Sequence, residues 1–353
     1  MAKNAKPAVS PIQGNSGEFS QSLEKWLPVI LAGTAALLFS SGLNNEMVDV
    51  DDHSATTNNP AVTRLELFSG FNLGMFAPLT WLGYALCYQL GGENSFWYHF
   101  LGLIIHTCNV WLVFRLLRDL GTTLSVAGFV TFFFGIHPLQ VEPVAWIAGF
   151  STPLFSLFSL CSLRAYVRHT RSEGVGAGYW HALVFFVLAG LAKSAAAVLP
   201  LSLLALDLWM KRPVSRRTIL EKVPFFVLAL GMGILTLISR KHAGLPDQPA
   251  DFSVSDRFLM VCQTIVFYWK QILLPGGLSI WYPFVRDNGS WPWSYYASPF
   301  ILLAVLFAAW RLRGSAPVIL AGLVFYLSNI VLSLPFSTFG TFELRSDLSL
   351  IHI

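Results

Sequence analysis

Asp49, Asp51 and Asp52 stand almost side by side in a polar stretch, residues 47–60, directly after the first apolar run of the chain. Adjacent carboxylates in a loop can share one chemical task, one acting as a general base while its neighbour tunes it. They can also hold a cation, or form a solvated acidic turn that does no chemistry. A divalent cation at Asp51 and Asp52 is the metal these residues suggest, although two adjacent ligands are too few to define a site. No other cofactor is indicated.

Further along, ionisable residues recur inside apolar segments, where charge is costly and therefore a candidate for function. His99 and His106 fall on one face of a single expected helix, two turns apart. His137 and Glu142 follow the end of another apolar run, and Lys193 sits between two more. An imidazole and a carboxylate near the aspartates could support acid–base chemistry. An ammonium there could grip a phosphate, or simply snorkel to a membrane interface. Asp207, beside Trp209 and Lys211, reads as half of a structural salt bridge.

The composition says what must position these groups. Of 353 residues, 54% are hydrophobic and 12% charged, and the mean hydropathy is +0.58. Soluble domains carry about twice that share of charge, so the chain belongs in lipid. Backbone polar groups in a bilayer must be satisfied internally, and continuous rather than alternating apolar runs select helices over a barrel. A net charge of +4 with scattered cations gives no reason to expect nucleic acid as a partner. Cys87, Cys108, Cys161 and Cys262 lack metal or disulfide spacing and read as small core residues.

The sequence predicts an all-α, polytopic bundle of about 9–11 spans, with segments near 26–43, 96–117, 124–136, 154–167, 180–192, 195–209, 223–238, 258–274, 299–310 and 317–334. Several fall short of the roughly 20 residues a perpendicular span needs, which points to broken helices lining a cavity. Residues 1–22 are expected to be a disordered cytoplasmic segment, followed by a signal-anchor helix. The aromatic stretches 71–86 and 281–296 suit helices lying in the membrane interface, or an ordinary aromatic belt. By the positive-inside rule, Lys3, Lys6 and Lys25 place the N-terminus in the cytoplasm and the aspartate loop outside. The alternation holds through residue 217. Beyond it the span count puts Arg311 and Arg313 outside, against the rule: one span is re-entrant or miscounted.

The order of motifs resembles the GT-C glycosyltransferase superfamily, in particular its bacterial membrane proteins usually fused to tetratricopeptide repeats, relatives of the protein O-mannosyltransferases. The resemblance rests on Asp51-Asp52 with Asn59-Pro60, Pro78-Leu79-Thr80-Trp81, Tyr98-His99 with His106 and Asn109, and His137-Pro138 with Val141-Glu142 and Val144-Ala145-Trp146. It continues through Ala192-Lys193, Leu199-Pro200, Leu206-Asp207, Pro224-Phe225, and Leu274-Pro275 with Tyr282-Pro283. It implies a GT-C-type bundle over 23–347 with interfacial helices in the first outer loop, and a catalytic carboxylate in that loop. It further implies a polyprenyl-phosphate sugar as donor, a protein or glycan hydroxyl as acceptor, and inversion at the anomeric carbon. Carried over by position, Asp51 or Asp52 is the base. From their side of the membrane and their charge, rather than from the resemblance, Asp49, His99, His106, His137 and Glu142 are expected as supporting groups and Lys193 as the contact to the donor phosphate.

The chain departs from the pattern at Val50, often aromatic in relatives, and at Gly149-Phe150-Ser151-Thr152-Pro153, where relatives carry charge. Residues 348–353 read as the translation of a transposon-end sequencing adapter, so the domain is expected to be truncated near 347. The expected location is a bacterial inner membrane, with membrane lipid as a partner and the active site facing the periplasm. The rival readings are a transporter or flippase of a lipid-linked precursor, and a non-catalytic anchor for a lost repeat domain.

Overall fold

Apolar runs bounded by caps and prolines set most helix ends. The computed structural model describes residues 16–68, 71–172, 176–242, 252–279, 282–284, 286, 289–335 and 344–345. The expectations for residues 1–15 and 348–353 lie outside them. Helix α1, Ser16–Phe39, begins ahead of residue 22, where the polar composition gives way. Two single-turn helices, α2 (Asp52–Ala55) and α3 (Pro60–Thr63), shape the acidic loop, and α4 (Pro78–Gly91) follows. Next come α5 (Ser95–Asp119), α6 (Leu124–Ile136), α7 (Val141–Ala145), α8 (Ser151–Thr170), α9 (Ala177–Ala192) and α10 (Leu199–Trp209). The series ends with α11 (Arg216–Leu220), α12 (Val223–His242), α13 (Val254–Leu273), α14 (Trp293–Leu312) and α15 (Pro317–Ile330). Asn94 and Thr123 cap α5 and α6 by accepting backbone N–H bonds, and prolines open α4, α10 and α15. A two-residue antiparallel pair, Tyr282–Pro283 with Leu344–Arg345, is the regular β-structure among the described residues.

Five helices are long and apolar enough to cross a membrane, or six if α6 and the 138–145 segment, bent by 49°, form one span. Three shorter apolar helices, Ala177–Ala192, Ser194–Trp209 and Pro317–Ser333, complete the set. The chain is an all-α polytopic membrane protein. Its passages alternate between two ends. At one end the aspartate loop meets residues 146–148. At the other, Glu24 near the start of α1 pairs with Arg118 near the end of α5 at 2.8 Å.

Helix α13 resolves the conflict over Arg311 and Arg313. Both of its ends touch the aspartate end of the bundle. Trp291, just before α14, donates to Asp256 at 2.7 Å, and His137, just after α6, donates to the Ile272 carbonyl at 3.0 Å. Tyr326 in the last turns of α15 donates to the Ile265 carbonyl at 3.2 Å. Asp256, Arg257, Gln263, Lys270 and Gln271 make α13 amphipathic, and it is not among the helices apolar enough to span. It lies across one end, as an interfacial helix does. With that crossing removed, α14 runs away from the aspartate end, and Arg311 and Arg313 join the other basic clusters.

The centre of the bundle is α8, 72% of whose window is buried, packed against α9. Small residues permit this closeness. A Cβ on Gly178 would come within 3.2 Å of the Ala165 carbonyl, and Ser162 donates to the Ala182 carbonyl at 2.7 Å. Helix α4, from the stretch expected to be interfacial, turns Trp81 and Tyr84 into the core and leaves Leu86 and Leu90 outward. Cys87 and Cys262 are buried, whereas Cys108 is exposed on α5.

At the end opposite the aspartates, α8, α10, α11 and the start of α12 enclose an ionic network. Asp207 does form the expected salt bridge, but with Arg212 (3.1 Å) and Lys222 (2.5 Å) rather than Lys211. Arg212 also reaches Glu221 at 2.5 Å and the Tyr166 hydroxyl at 2.8 Å. Tyr166 donates to Asp207 at 2.8 Å, and His169 stands 3.5 Å from Glu221.

Candidate functional site

A cleft of about 600 Å³ opens at the aspartate end. Asp51, Glu142 and Lys193 all line it, together with Thr152, Trp81 and Tyr84. Three residues singled out by type, from segments far apart in the chain, thus share one concavity.

The aspartate pair divides its labour. Asp52 is 1% exposed. Its two carboxylate oxygens each accept a backbone N–H at 2.8 Å, from Val48 within the loop and from Ala148 far along the chain. Trp146 adds a third tie by donating to the Val50 carbonyl at 3.2 Å. Burial pushes the Asp52 carboxyl above its ordinary pKa, while the two amides and the neighbouring His99 pull it back. Asp52 braces the loop. Asp51 is the exposed member that lines the cleft.

Asp51 holds its position at a backbone cost. Its φ of 67° lies in the left-handed region, unusual for a residue other than glycine, where it forms the N-cap of α2. Such outliers persist where the surroundings over-determine them, and they concentrate at functional sites. The loop is held further by Asn59, which accepts from Ala61 at 2.9 Å, and by Thr56, which donates to the Asp52 carbonyl at 2.6 Å.

Lys193 ends α9 with an extended backbone (φ −154°, ψ 131°), and the chain resumes as a 3₁₀ turn before α10. The break is the broken helix anticipated from span length. Its ammonium donates to Thr152 Oγ1 at 2.9 Å. Thr80 fixes the same corner by donating to the Ala192 carbonyl at 2.8 Å. Gly149 lets this side of the cleft close, because a Cβ there would sit 2.9 Å from the Glu142 carbonyl.

The remaining candidates do not line the cleft, although His99 neighbours Asp52. Asp49 is exposed and does not line the cleft. His99 and His106 are both buried: His99 donates to the Asn45 carbonyl at 3.2 Å, tying α5 to the stretch just ahead of the aspartates, and His106 to the Gly135 carbonyl of α6 at 3.0 Å. His137 accepts the Leu139 N–H on Nδ1 at 3.2 Å and donates from Nε2 to Ile272, which ties α6 to α13. Sequence reasoning did not assign roles to Thr152, Ser151, Tyr84 or Trp81. The signal for Ser151 and Thr152 lay in the stretch 149–153, a run without charge between two candidates, Glu142 and Lys193. Here Ser151 and Thr152 line the cleft, while Phe150 packs on Tyr84 with ring centres 5.4 Å apart.

Each Asp52 oxygen already accepts one backbone amide, which leaves one lone pair per oxygen for the divalent cation the sequence suggests. Among the described residues no three His, Cys, Asp or Glu side chains converge as a metal site. Asp52→Asn replaces one accepting oxygen by an NH₂ group facing a backbone donor. It should cost about 1–3 kcal/mol for a buried unsatisfied donor. Thermal unfolding of the purified protein measures this, and an unchanged midpoint would remove the bracing role.

Comparison with known proteins bears on this cleft. Over 272 residues the chain is 25% identical to the protein O-mannosyl-transferase tmtc2 of Xenopus laevis, covering 68% of this chain and 32% of that protein. The Mus musculus protein O-mannosyl-transferase TMTC2 is 25% identical over 245 residues, 64% of this chain and 28% of that protein. The Homo sapiens protein O-mannosyl-transferase TMTC1 is 32% identical over 189 residues, 48% of this chain and 21% of that protein. The chain is homologous to named protein O-mannosyl-transferases. It spans about a third of the length of the first of these relatives. No family model and no solved structure matches.

Proposed function

We propose that the chain is a membrane glycosyltransferase that moves a sugar from a polyprenyl-phosphate donor to a protein or glycan hydroxyl, with Asp51 as general base. The observation that carries the reading is the convergence of Asp51, Glu142 and Lys193 on one cleft at a single end of the bundle. The relatives' names support the transferase class. The basic clusters at the opposite end favour a cleft facing away from the cytoplasm. In a bacterial inner membrane that side is the periplasm.

In this reading the acceptor hydroxyl gives its proton to Asp51 as its oxygen attacks the anomeric carbon. A new carbon–oxygen bond forms on the face opposite the phosphate. The bond from the anomeric carbon to the phosphate oxygen breaks, and its electron pair leaves with the phosphate. Lys193, oriented by Thr152, meets the charge that develops there. Glu142 orients the acceptor at the rim. No step is routed through a metal.

Lys193→Met should lower transfer by roughly 10²-fold or more, the scale for removing a donor aimed at developing charge. Steady-state kinetics with varied donor would detect this, and an unaltered kcat/KM would move the phosphate elsewhere. The transporter reading expects carboxylates at mid-membrane depth. The carboxylates described here instead lie towards helix ends, at Asp119, Asp207, Glu221 and Asp256 as well as in the cleft. The test of the proposal is incorporation of labelled sugar from a panel of polyprenyl-phosphate donors into endogenous acceptors, in membranes expressing the gene in full. Incorporation above that of vector-only membranes is expected. None across the panel would return weight to the transporter or anchor readings.

A further inference from the structure

A second concavity, of about 520 Å³, lies at the opposite end of the bundle, between α10 and α12 and closed by residues 212–214 and α11. Its walls are apolar: Leu204 and Leu208 on one side, Val223, Phe226, Val227 and Leu230 on the other. All six are exposed. The span that supplies the second wall is only 17% buried, so this face meets lipid rather than protein within the chain.

The head of the groove is cationic. Arg212 and Lys222 line it, but their donors are engaged by Asp207, Glu221, Tyr166 and the Thr218 carbonyl. Lys211, Arg216 and Arg217 do not line the groove but neighbour its lining residues in sequence, are exposed, and make no ion pair with the described carboxylates. Lys211 is also held in the left-handed region, at φ 54°, just past the end of α10. Glycine usually takes that place after a helix. Here Lys211 takes it, and the Arg212 N–H closes the turn on the Asp207 carbonyl at 2.9 Å as an ordinary helix C-cap.

We propose that this groove binds an anionic phospholipid of the leaflet on the side opposite the cleft, an acyl chain lying between α10 and α12 and the phosphate held by Lys211, Arg216 and Arg217. Charge complementarity selects this occupant. A neutral lipid would satisfy the apolar walls but leave the three exposed cations without a counter-charge. A soluble anion would satisfy the cations but leave the walls empty. The network is overall neutral in formal charge, with Asp207 and Glu221 against Arg212 and Lys222, so the net positive charge of residues 207–222 comes from Lys211, Arg216 and Arg217.

The experiment uses the full-length protein, purified in detergent and titrated with phosphatidylglycerol or phosphatidylcholine, with bound lipid counted by native mass spectrometry. Two variants are run beside the wild type. The triple change Lys211→Gln, Arg216→Gln, Arg217→Gln removes the cations, and Leu208→Trp fills the groove with the cations intact. The wild type should retain phosphatidylglycerol in preference to phosphatidylcholine. The triple variant should lose roughly tenfold or more in affinity, on the scale of basic residues near an anionic surface. Leu208→Trp should also weaken binding, and excess inorganic phosphate should not compete. Equal retention of both lipids, or an unaffected triple variant, would overturn the proposal. So would unchanged binding by Leu208→Trp, which would reduce the site to a surface charge effect. Thermal unfolding without added lipid checks that both variants are folded. None of these readouts depends on glycosyl transfer.

Discussion

Asp51→Asn should reduce sugar transfer by roughly 10²- to 10⁴-fold, the usual contribution of a positioned general base. The substitution isolates the chemistry because of where Asp51 sits. Its backbone is left-handed at φ 67°, a region that asparagine tolerates nearly as well as aspartate. Asn therefore keeps the N-cap of α2 and the shape of the loop while removing the ability to accept a proton. The clamp through Asp52 to Val48 and Ala148 is untouched. Thermal stability and donor affinity should stay near wild type, with the loss confined to kcat. Asp51→Ala is a poorer probe, since it adds backbone strain to the missing carboxylate. Rates within a few-fold of wild type for Asp51→Asn would exclude it as the base.

The largest effect on stability is expected at the opposite end. Glu221→Ala removes the carboxylate that meets Arg212 at 2.5 Å and lies 3.4 Å from Lys222 and 3.5 Å from His169. Asp207 alone would then face two cations, Lys222 buried and Arg212 half-buried. Breaking a buried pair from one side leaves an uncompensated charge and typically costs about 3–5 kcal/mol. Tyr166→Phe, which removes only a hydroxyl shared among Asp207, Glu221 and Arg212, should cost less, about 1–2 kcal/mol. Unfolding in mixed micelles would rank the two. Equal and small losses would mean that water replaces the network at little cost. The folded fraction of either variant should bind donor normally, because α8 alone, with 20 residues, separates this network from the cleft by roughly 30 Å.

Much of this architecture was legible in the sequence, because apolar runs in lipid have few alternatives to helix. Each of the ten segments read from hydropathy coincides with a helix. The helices are generally longer, since their polar or aromatic ends, such as Ser151 in α8 and Trp293 in α14, fall outside a hydropathy window. What hydropathy cannot distinguish is a span from an amphipathic helix of similar length. Helix α13 was counted as a crossing, yet it is not among the helices apolar enough to span. The single-turn helices α2, α3 and α7 left no periodic signal, being shorter than any period that could reveal them.

The site was legible by residue type and less so by role. Asp51, Glu142 and Lys193 were singled out and share a cleft. The division between Asp51 and Asp52 was hidden, because the amide that occupies Asp52 comes from Ala148, 96 residues away. The histidines show a structural use that residue type alone does not reveal. An imidazole inside an apolar helix draws attention as chemistry, yet His99, His106 and His137 each spend a ring N–H on a carbonyl of another segment. In a bilayer that use is as pressing as catalysis, since a backbone carbonyl freed at a helix end needs a donor.

The central claim is that Asp51 acts in catalysis and Lys193 on the donor phosphate within one cleft. Donor binding and single-turnover transfer, measured on the same membranes for wild type, Asp51→Asn and Lys193→Met, test it most directly. The account predicts that Asp51→Asn binds polyprenyl-phosphate sugar like wild type but transfers almost none. It predicts that Lys193→Met is impaired in both donor binding and transfer. Wild-type transfer by Asp51→Asn, or undiminished donor binding and transfer by Lys193→Met, would contradict it.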